Sequence, residues 1–310
     1  MTQHHGAVRD VEHVDVKAAV GAPQWRAPSL REIITVLDSV YPRSLAAPWD
    51  AVGLVCGDLD QDVSTVLLAV DVTDVVVEEA LDARADLLLV HHPLFLRPVH
   101  GVGTDTPKGR LLHRLMRAKC ALFSAHTNAD TATPGVSDAL ARVLGLTDLA
   151  PLEPVPSPAS EVMASRGGAE DASATGFGRI GTLRAPTLLR AFAEQVARAL
   201  PRTMSGVRIA GPMDAVVHRV AVCGGAGDSL LDAARAAEAD VFVTSDLRHH
   251  AAGESLETGR PWLIDVAHWA SEWPWLLGAR ERLLSGLDGY GQVVDARVSA
   301  TSTDPWTARL

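Results

Sequence analysis

The chain has 310 residues, enough for one large α/β domain or two of medium size. It is 47% hydrophobic and 21% charged, the profile of an ordinary globular protein, and no apolar run approaches the roughly 20 residues of a membrane span. The formal net charge of -10 comes without a basic block or stripe, which argues against a nucleic acid as the main partner. Three widely separated cysteines and a polar N-terminal region predict a cytoplasmic protein with reduced thiols and no membrane partner.

A first α/β lobe is predicted at residues 29–150, after a flexible leader at 1–28. Ser29-x-x-Glu32 is a capping box, which predicts the first helix of this lobe. Short apolar runs and amphipathic segments then alternate, as is typical of a parallel sheet covered by helices. We predict strands at 66–70, 85–90 and 119–125 and helices at 73–84, 108–118 and 135–144.

A second lobe is predicted at residues 176–310. Between the lobes, the composition of residues 151–175 changes to Pro, Ser, Ala and Gly, which indicates a flexible linker. Residues 220–246 repeat the order of strand, helix and Ala-Asp strand found at 66–92. We interpret the repeat as two related α/β lobes, with mixed or parallel sheets, that face one crevice. The alternative is a chance similarity between two βαβ units.

A histidine pair ends the apolar run at 85–90: His91-His92-Pro93. An unbroken apolar run of this length predicts a strand buried on both faces, and residues just beyond its carboxyl end face the ligand crevice of an α/β sheet. Successive extended side chains point in opposite directions, so the pair suits two separate ligation points. The alternative is two polar residues that simply close a strand.

Two further predicted strands end in the same kind of side chain. His126 and Asp130 follow the strand at 119–125, and His268 and Glu272 follow an apolar run at 261–267. Histidine with carboxylate is a ligand set for divalent zinc, manganese or iron. Three strand ends of this kind predict a polynuclear metal site.

Pro274 affects the predicted start of the last helix. A proline has no N–H to donate to the carbonyl of Ala270, but it is tolerated in the first turn of a helix. We therefore expect the regular helix to begin near Ser271.

Two segments of the second lobe have more than one interpretation. Gly224-Gly225-Ala226-Gly227 lies between a strand and a helix, and either cradles an anion or allows tight packing. Asp246 and His250 follow the second Ala-Asp strand, where the repeat places the histidines of the first lobe. They either line the crevice and handle substrate or cap a helix. Asp50, at a Trp-Asp corner, is either structural or orients a residue of the site.

Four motifs occur together in an order typical of one family: His91-His92-Pro93, His126-Thr127-Asn128-x-Asp130, Gly176-x-Gly178-Arg179-Ile180-Gly181 and His268-x-x-x-Glu272. Over roughly residues 29–300 the chain resembles the GTP cyclohydrolase I type 2 homologues, also called the Ngg-interacting-factor family. The resemblance implies two α/β lobes around a shared dinuclear metal crevice. It also implies a toroidal homohexamer built as a trimer of dimers.

The resemblance further implies the metal ligands, with Glu272 bridging two divalent ions: His91, His92, Asp130, His268 and Glu272. The chain departs from the family pattern at two places. Ala51 replaces the asparagine usual after Trp49-Asp50, which removes an amide from that corner. Longer members carry an inserted domain that resembles the nitrogen-regulator trimer fold, and the segment at 151–175 is too short and too polar to be one.

The predicted function is that of a dinuclear metal-dependent hydrolase. Two divalent ions per chain, zinc, manganese or iron, would lower the pKa of a shared water and polarise a substrate oxygen. His126 or His250 would transfer protons. The substrate is expected to be a small molecule, nucleotide-like or a phosphoester. The alternative from another functional class is a non-catalytic metal-binding or regulatory scaffold.

Overall fold

The computed structural model describes residues 26–156, 175–288 and 294–310. In these residues the strands are β1 (Gly53–Cys56), β2 (Thr65–Ala69), β3 (Leu87–Val90), β4 (Ala121–Ser124), β5 (Thr147–Pro154), β6 (Gly176–Leu188), β7 (Arg208–Ala210), β8 (Val216–Ala226), β9 (Val241–Ser245), β10 (Trp262–Val266) and β11 (Asp295–Val298). The helices are α1 (Leu30–Val40), α2 (Asp74–Asp82), α3 (Pro107–Arg117), α4 (Thr127–Thr131), α5 (Val136–Val143), α6 (Leu189–Ala199), α7 (Leu231–Ala236), α8 (His249–Glu257) and α9 (His268–Leu287).

The predicted α/β class is confirmed: the described residues form a mixed α/β fold with two sheets. The first sheet has the order β1-β4-β3-β2-β11, and the second has the order β5-β6-β8-β9-β10-β7. Within the described residues, no helix is both long enough and apolar enough to cross a membrane.

Strand β3 shows why the first sheet is covered on both faces. All four of its residues are buried, and they alternate between two hydrophobic clusters. Leu87 and Leu89 pack with side chains of α1 and α9. Leu88 and Val90 pack with side chains of α2 and α3. Because β3 pairs in parallel with both β2 and β4, its carboxyl end lies beside theirs.

The second sheet is parallel at its centre and antiparallel towards its edges. Strands β8, β9 and β10 run parallel, whereas β6 pairs antiparallel with β8 and β7 pairs antiparallel with β10. One face is covered by α5 and α6, with Phe192 and Val243 in the same cluster. The other face is covered by α7, with Leu231 close to Phe242.

Two strands differ from the predicted boundaries. Residues 151–154, predicted as linker, belong to β5, which pairs antiparallel with β6 at the edge of the second sheet. Proline is tolerated there because one side of an edge strand needs no ladder hydrogen bonds. Strand β11, predicted within the second lobe, pairs in parallel with β2 of the first sheet. Residues 1–25 of the predicted leader and 157–174 of the predicted linker lie outside the described residues.

Helix α9 begins at His268, so the start predicted near Ser271 is wrong. Pro274 lies inside the helix and is buried. Hydrogen bonds hold the first turn: the Ser271 amide donates to the Ala267 carbonyl (3.1 Å), and the Ser271 hydroxyl donates to the His268 carbonyl (2.7 Å). These local hydrogen bonds and the burial of Pro274 therefore compensate for the donor that proline lacks.

Candidate metal centre

Histidine and carboxylate side chains from both sheets meet at the carboxyl ends of parallel strands. The first pair, His91-His92, follows β3 directly, because Pro93 ends the strand there. The second set follows β4 and lies at the start of α4. The third set follows β10 and lies in the first turns of α9. The structure thus brings together five of the predicted site residues and His126: His91, His92, Asp130, His268 and Glu272.

Glu272 lies at the middle of this cluster and is 2% exposed. Its Oε1 is 3.0 Å from His268 Nε2 and 3.5 Å from His91 Nε2, and its Oε2 is 3.2 Å from His92 Nε2. Asp130 Oδ1 lies 3.6 Å from His91 Nε2. One carboxylate therefore faces three imidazole nitrogens.

His92 and His268 face each other through nitrogens that carry no proton when the rings are neutral. His92 Nδ1 lies 2.7 Å from Asp71 Oδ1, and His268 Nδ1 lies 2.7 Å from Asp246 Oδ2. An ionised carboxylate can only accept a hydrogen bond, so each Nδ1 is the donor. The two Nε2 lone pairs then point towards each other across 3.3 Å. A cation is needed between them, either a proton or a metal ion.

His126 is held in the same manner by Asp50, whose side chain is fully buried. His126 Nδ1 lies 2.9 Å from Asp50 Oδ1, and the other carboxylate oxygen accepts from the Thr127 amide at 3.0 Å. The His126 ring centroid lies 5.1 Å from that of His91 and 5.5 Å from that of His92. Asp50 therefore orients a histidine at the margin of the cluster rather than only forming a corner of the chain.

Buried polar atoms without hydrogen-bond partners mark the centre of the cluster. His91 donates through Nδ1 to the Ala125 carbonyl at 2.9 Å, which leaves its buried Nε2 without a partner. Glu272 Oε2 is also buried and makes no well-directed hydrogen bond. Unpaired buried groups of this kind cost free energy unless an ion or water satisfies them, so they fit a metal site.

The charges of Glu272 and its histidines depend on each other. Burial raises the pKa of Glu272, but the charges on His92 and His91 outweigh this effect and hold that pKa well below its usual range. Burial lowers the pKa of His268, yet the Glu272 carboxylate raises this pKa to about 9. The cluster therefore keeps positive charge when no metal is bound, and a divalent cation would supply the same charge.

Two overlapping groups of side chains could hold a metal ion. In each group the ligand atoms lie within 4.8 Å of one another, and His92 belongs to both groups. One group combines His91 and His92 with His126, and the other combines His92 with His268 and Glu272. The donors are imidazole nitrogen and carboxylate oxygen, a set that suits zinc, manganese or iron.

Gly225 approaches the cluster so closely that a side chain would not fit. A Cβ atom there would overlap the Glu272 carboxylate and lie 3.1 Å from His268 Nε2, and the backbone has φ of +70°. The Gly225 amide donates to the Ser271 hydroxyl at 2.8 Å, so it is not free to cradle an anion. Of the two interpretations of Gly224–Gly227, the structure favours tight packing.

A model of the Duf34/NIF3 (NGG1p interacting factor 3) family matches residues 28–305, most of the chain. The chain belongs to this family. A Streptomyces coelicolor member, named as a GTP cyclohydrolase 1 type 2 homolog, is 46% identical over 283 residues, which cover 91% of this chain and 95% of the relative. The resemblance expected from the four motifs is confirmed.

Other Duf34/NIF3 members extend the comparison. A Mycobacterium tuberculosis relative with the same name is 41% identical over 369 aligned positions, which cover 89% of this chain and 96% of the relative. Since the alignment is longer than this chain, that relative carries segments that this chain lacks. A solved Bacillus cereus protein related to NIF3 has a TM-score of 0.80 at 26% identity, covering 91% of this chain and 99% of its own.

Among the predicted site residues of this Duf34/NIF3 protein, His250 lies apart. It is exposed on α8, and its ring packs beside that of His249 with 5.2 Å between centroids. Its role in proton transfer stays a prediction. Asp71 was not identified from the sequence, although it follows β2 as the histidine pair follows β3. A search for carboxylates at every strand end would have found it.

Proposed function

We propose that this Duf34/NIF3 protein is a cytoplasmic dinuclear metal-dependent hydrolase of small nucleotide-like or phosphoester substrates. The observation that carries the proposal is the convergence of three Nε2 atoms on Glu272, with the opposite nitrogen of two of these rings held by a carboxylate. Paired carboxylate and histidine groups of this kind fix the tautomer and orientation of metal-ligating imidazoles. The relatives are named as GTP cyclohydrolase 1 type 2 homologs, which supports hydrolytic chemistry on a nucleotide-like substrate.

We assign the proposed ligands to two sets that share Glu272, a division that uses Asp130 in place of His126 and so differs from the two geometric groups that share His92. His91 lies between Asp130 and Glu272, and these three would hold one ion. His92 and His268 flank the other side of Glu272 and would hold the second. Zinc, manganese and iron all fit such nitrogen and oxygen donors.

Two divalent ions bound here would supply hydroxide near neutral pH and polarise a substrate oxygen. The side chains would do the remaining work. Asp71 and Asp246 keep the Nε2 lone pairs of His92 and His268 directed at the centre. His126, oriented by Asp50, has its Nε2 available to accept a proton and return it to the leaving group.

The test is a screen of metal-loaded protein against phosphoesters, nucleotides and cyclic amides. We expect turnover that disappears on chelation and returns with a divalent metal. His126→Ala should then lower kcat by about 10²–10⁴-fold, the usual value of a positioned proton-transfer group, at unchanged metal content. Loss of metal in this variant would instead make His126 a ligand, as its group with His91 and His92 allows. Metal-free protein as active as loaded protein would contradict the proposal. Full metal occupancy without turnover on any substrate would favour the scaffold alternative.

We propose the hexamer on the resemblance to the family alone. Light scattering should give a mass near six times the 32.8 kDa of one chain. A monomer at micromolar concentration would contradict the ring.

A further inference from the structure

The segment after β11 is fixed against the metal centre by alternate hydroxyl side chains. Ser299 and Thr301 donate to the Glu79 carboxylate at 2.6 and 2.8 Å. Thr303 donates to Asp71, the same carboxylate that orients a histidine of the cluster. Side chains two residues apart in an extended segment share one face, so these three hydrogen bonds all anchor the same face of the segment. They bring residues 304–309 beside the candidate metal centre.

Residues 304–306, 308 and 309 form one wall of a cleft that opens onto the cluster. The cleft has a volume of about 560 Å³ and is lined by His92 and His268 at the metal end. Met204, Trp306 and Arg309 line it elsewhere. This volume falls in the range of about 300–1,000 Å³ that is usual for small-molecule sites.

The apolar part of the lining is unusually exposed. Trp306 is 66% exposed and Met204 is 51% exposed, although both are large and apolar. Exposed apolar side chains in a concave site next to polar groups are a feature of ligand sites. An indole offers a flat face on which another ring can stack.

Two charged residues of the cleft lining, Asp304 and Arg309, form no ion pair in the described residues, and one Asp304 oxygen is buried without a hydrogen-bond partner. Burial and the nearby charge of Asp246 raise the pKa of Asp304, which favours its uncharged form. Asp71 and Asp246 are engaged by the histidines of the cluster, and Asp265 is engaged by Arg208. Arg309, beside the turn at Gly206, forms no ion pair with any carboxylate in the described part of the chain. Its guanidinium is thus available to an anionic group of a ligand.

We propose that this cleft binds the non-reacting part of the substrate, a flat ring that carries an anionic group. The ring stacks on Trp306, Arg309 pairs with the anion, and the reacting end lies at His92 and His268. The inference deepens the proposed hydrolase function and rests on it for the assignment of the reacting end. It adds two specificity residues that lie outside the metal ligands.

Calorimetry with metal-loaded protein tests the proposal, with 4-carboxyphenylphosphonate and 4-carboxycyclohexylphosphonate as matched probes. In each probe the carboxylate is the anion for Arg309, the phosphonate is the group at the metal end, and the P–C bond resists hydrolysis. The two differ in whether the ring is flat, and we expect the phenyl probe to bind about fivefold more tightly. Trp306→Ala should remove this preference, and Trp306→Phe should keep it. Arg309→Ala should weaken both probes about fivefold or more, and Arg309→Lys should restore part of the loss. Arg190→Ala, an exposed arginine on α6, is the control and should change neither.

Metal content and circular dichroism of each variant show whether the centre and the fold are intact. Equal binding of the two probes by the natural protein, or a preference that survives Trp306→Ala, would overturn the proposal. Binding is measured without turnover, so the outcome is separate from the hydrolase test. A Trp306-dependent preference without hydrolysis would keep the cleft as a ligand site and remove the hydrolase.

Discussion

The guanidinium of Arg179 and the carboxylate of Asp138 form a 2.7 Å ion pair in which both side chains are almost completely buried. Arg179 also donates to the carbonyls of Gly176 (2.6 Å) and Ala132 (2.8 Å). It thereby ties β6 of the second sheet to the turn that follows α4, the helix that carries Asp130. The glycine-rich motif around Arg179 therefore positions an arginine that joins these two segments.

Arg179→Met should destabilise the protein by about 3–5 kcal/mol, because it leaves the Asp138 charge buried without its partner. Urea unfolding followed by circular dichroism measures the change. The matched control is Arg198→Ala, whose pair with Glu194 is exposed and 3.9 Å long. It should cost below about 1 kcal/mol. Similar losses in the two variants would show that the buried Arg179–Asp138 pair stabilises the fold no more than an exposed pair does.

Glu272→Ala should lose more metal than the alanine variant of any single histidine, because Glu272 faces three Nε2 atoms. Elemental analysis of purified protein should give close to two ions per chain for the natural sequence and a large deficit for the variant. His250→Ala is the control and should retain full metal content, since His250 is exposed on α8. Full occupancy in Glu272→Ala would remove this carboxylate from the ligand set.

Asp71→Asn and Asp246→Asn should each lower metal affinity by about 10–100-fold without unfolding the protein, because an amide no longer enforces the Nδ1–H tautomer of His92 or His268. Competition with a chelator of known affinity measures the change. Asp232→Asn is the control, since Asp232 pairs with Arg235 at the surface. Unchanged affinity in the first two variants would mean that the histidine orientation is set by packing alone.

The pH dependence of stability follows from His268, whose pKa in the metal-free protein is raised from 6.5 to about 9. A group whose pKa is higher in the folded protein than in the unfolded protein stabilises the fold fully when the pH is below the unfolded-state pKa. This stabilisation is lost as the pH rises through the folded-state pKa. The Tm of metal-free protein should therefore fall between pH 6.5 and 9. Apparent metal affinity should rise over the same window, because the bound metal displaces protons. A Tm of metal-free protein that rises with pH over this range would contradict the positive charge assigned to His268.

The sequence could predict the strand ends that carry the cluster. Strand β3 is buried on both faces, so its apolar run is unbroken, and His91 marks its end. The carboxylates behind the histidines are harder to predict, because Asp71 and Asp246 become hydrogen-bond acceptors only when two strand ends meet in space. Asp71 accepts from His92, which follows the next strand, and from Thr303 near the end of the chain, whereas Asp246 accepts from His268, which follows the strand after its own.

Two strands could not be predicted for separate physical reasons. Strand β5 contains Pro151 and Pro154, which normally indicate a loop, and it exists because an edge position tolerates them. Strand β11 has only four residues, and an alternation of charged and apolar side chains this short, Asp295-Ala296-Arg297-Val298, does not identify a strand or its sheet. It is stabilised by parallel pairing with β2, a contact between residues more than 200 positions apart.

The position of β11 has a consequence for synthesis on the ribosome. The first sheet begins with β1–β4, but its last strand is translated only after every strand of the second sheet. Until then the apolar strand β2, Thr65–Ala69, has an unpaired edge, which is a template for association with other chains. This edge therefore needs cover while the rest of the chain is made. We expect chaperones and translation rate to change the yield of folded protein, while the stability of the finished protein stays the same.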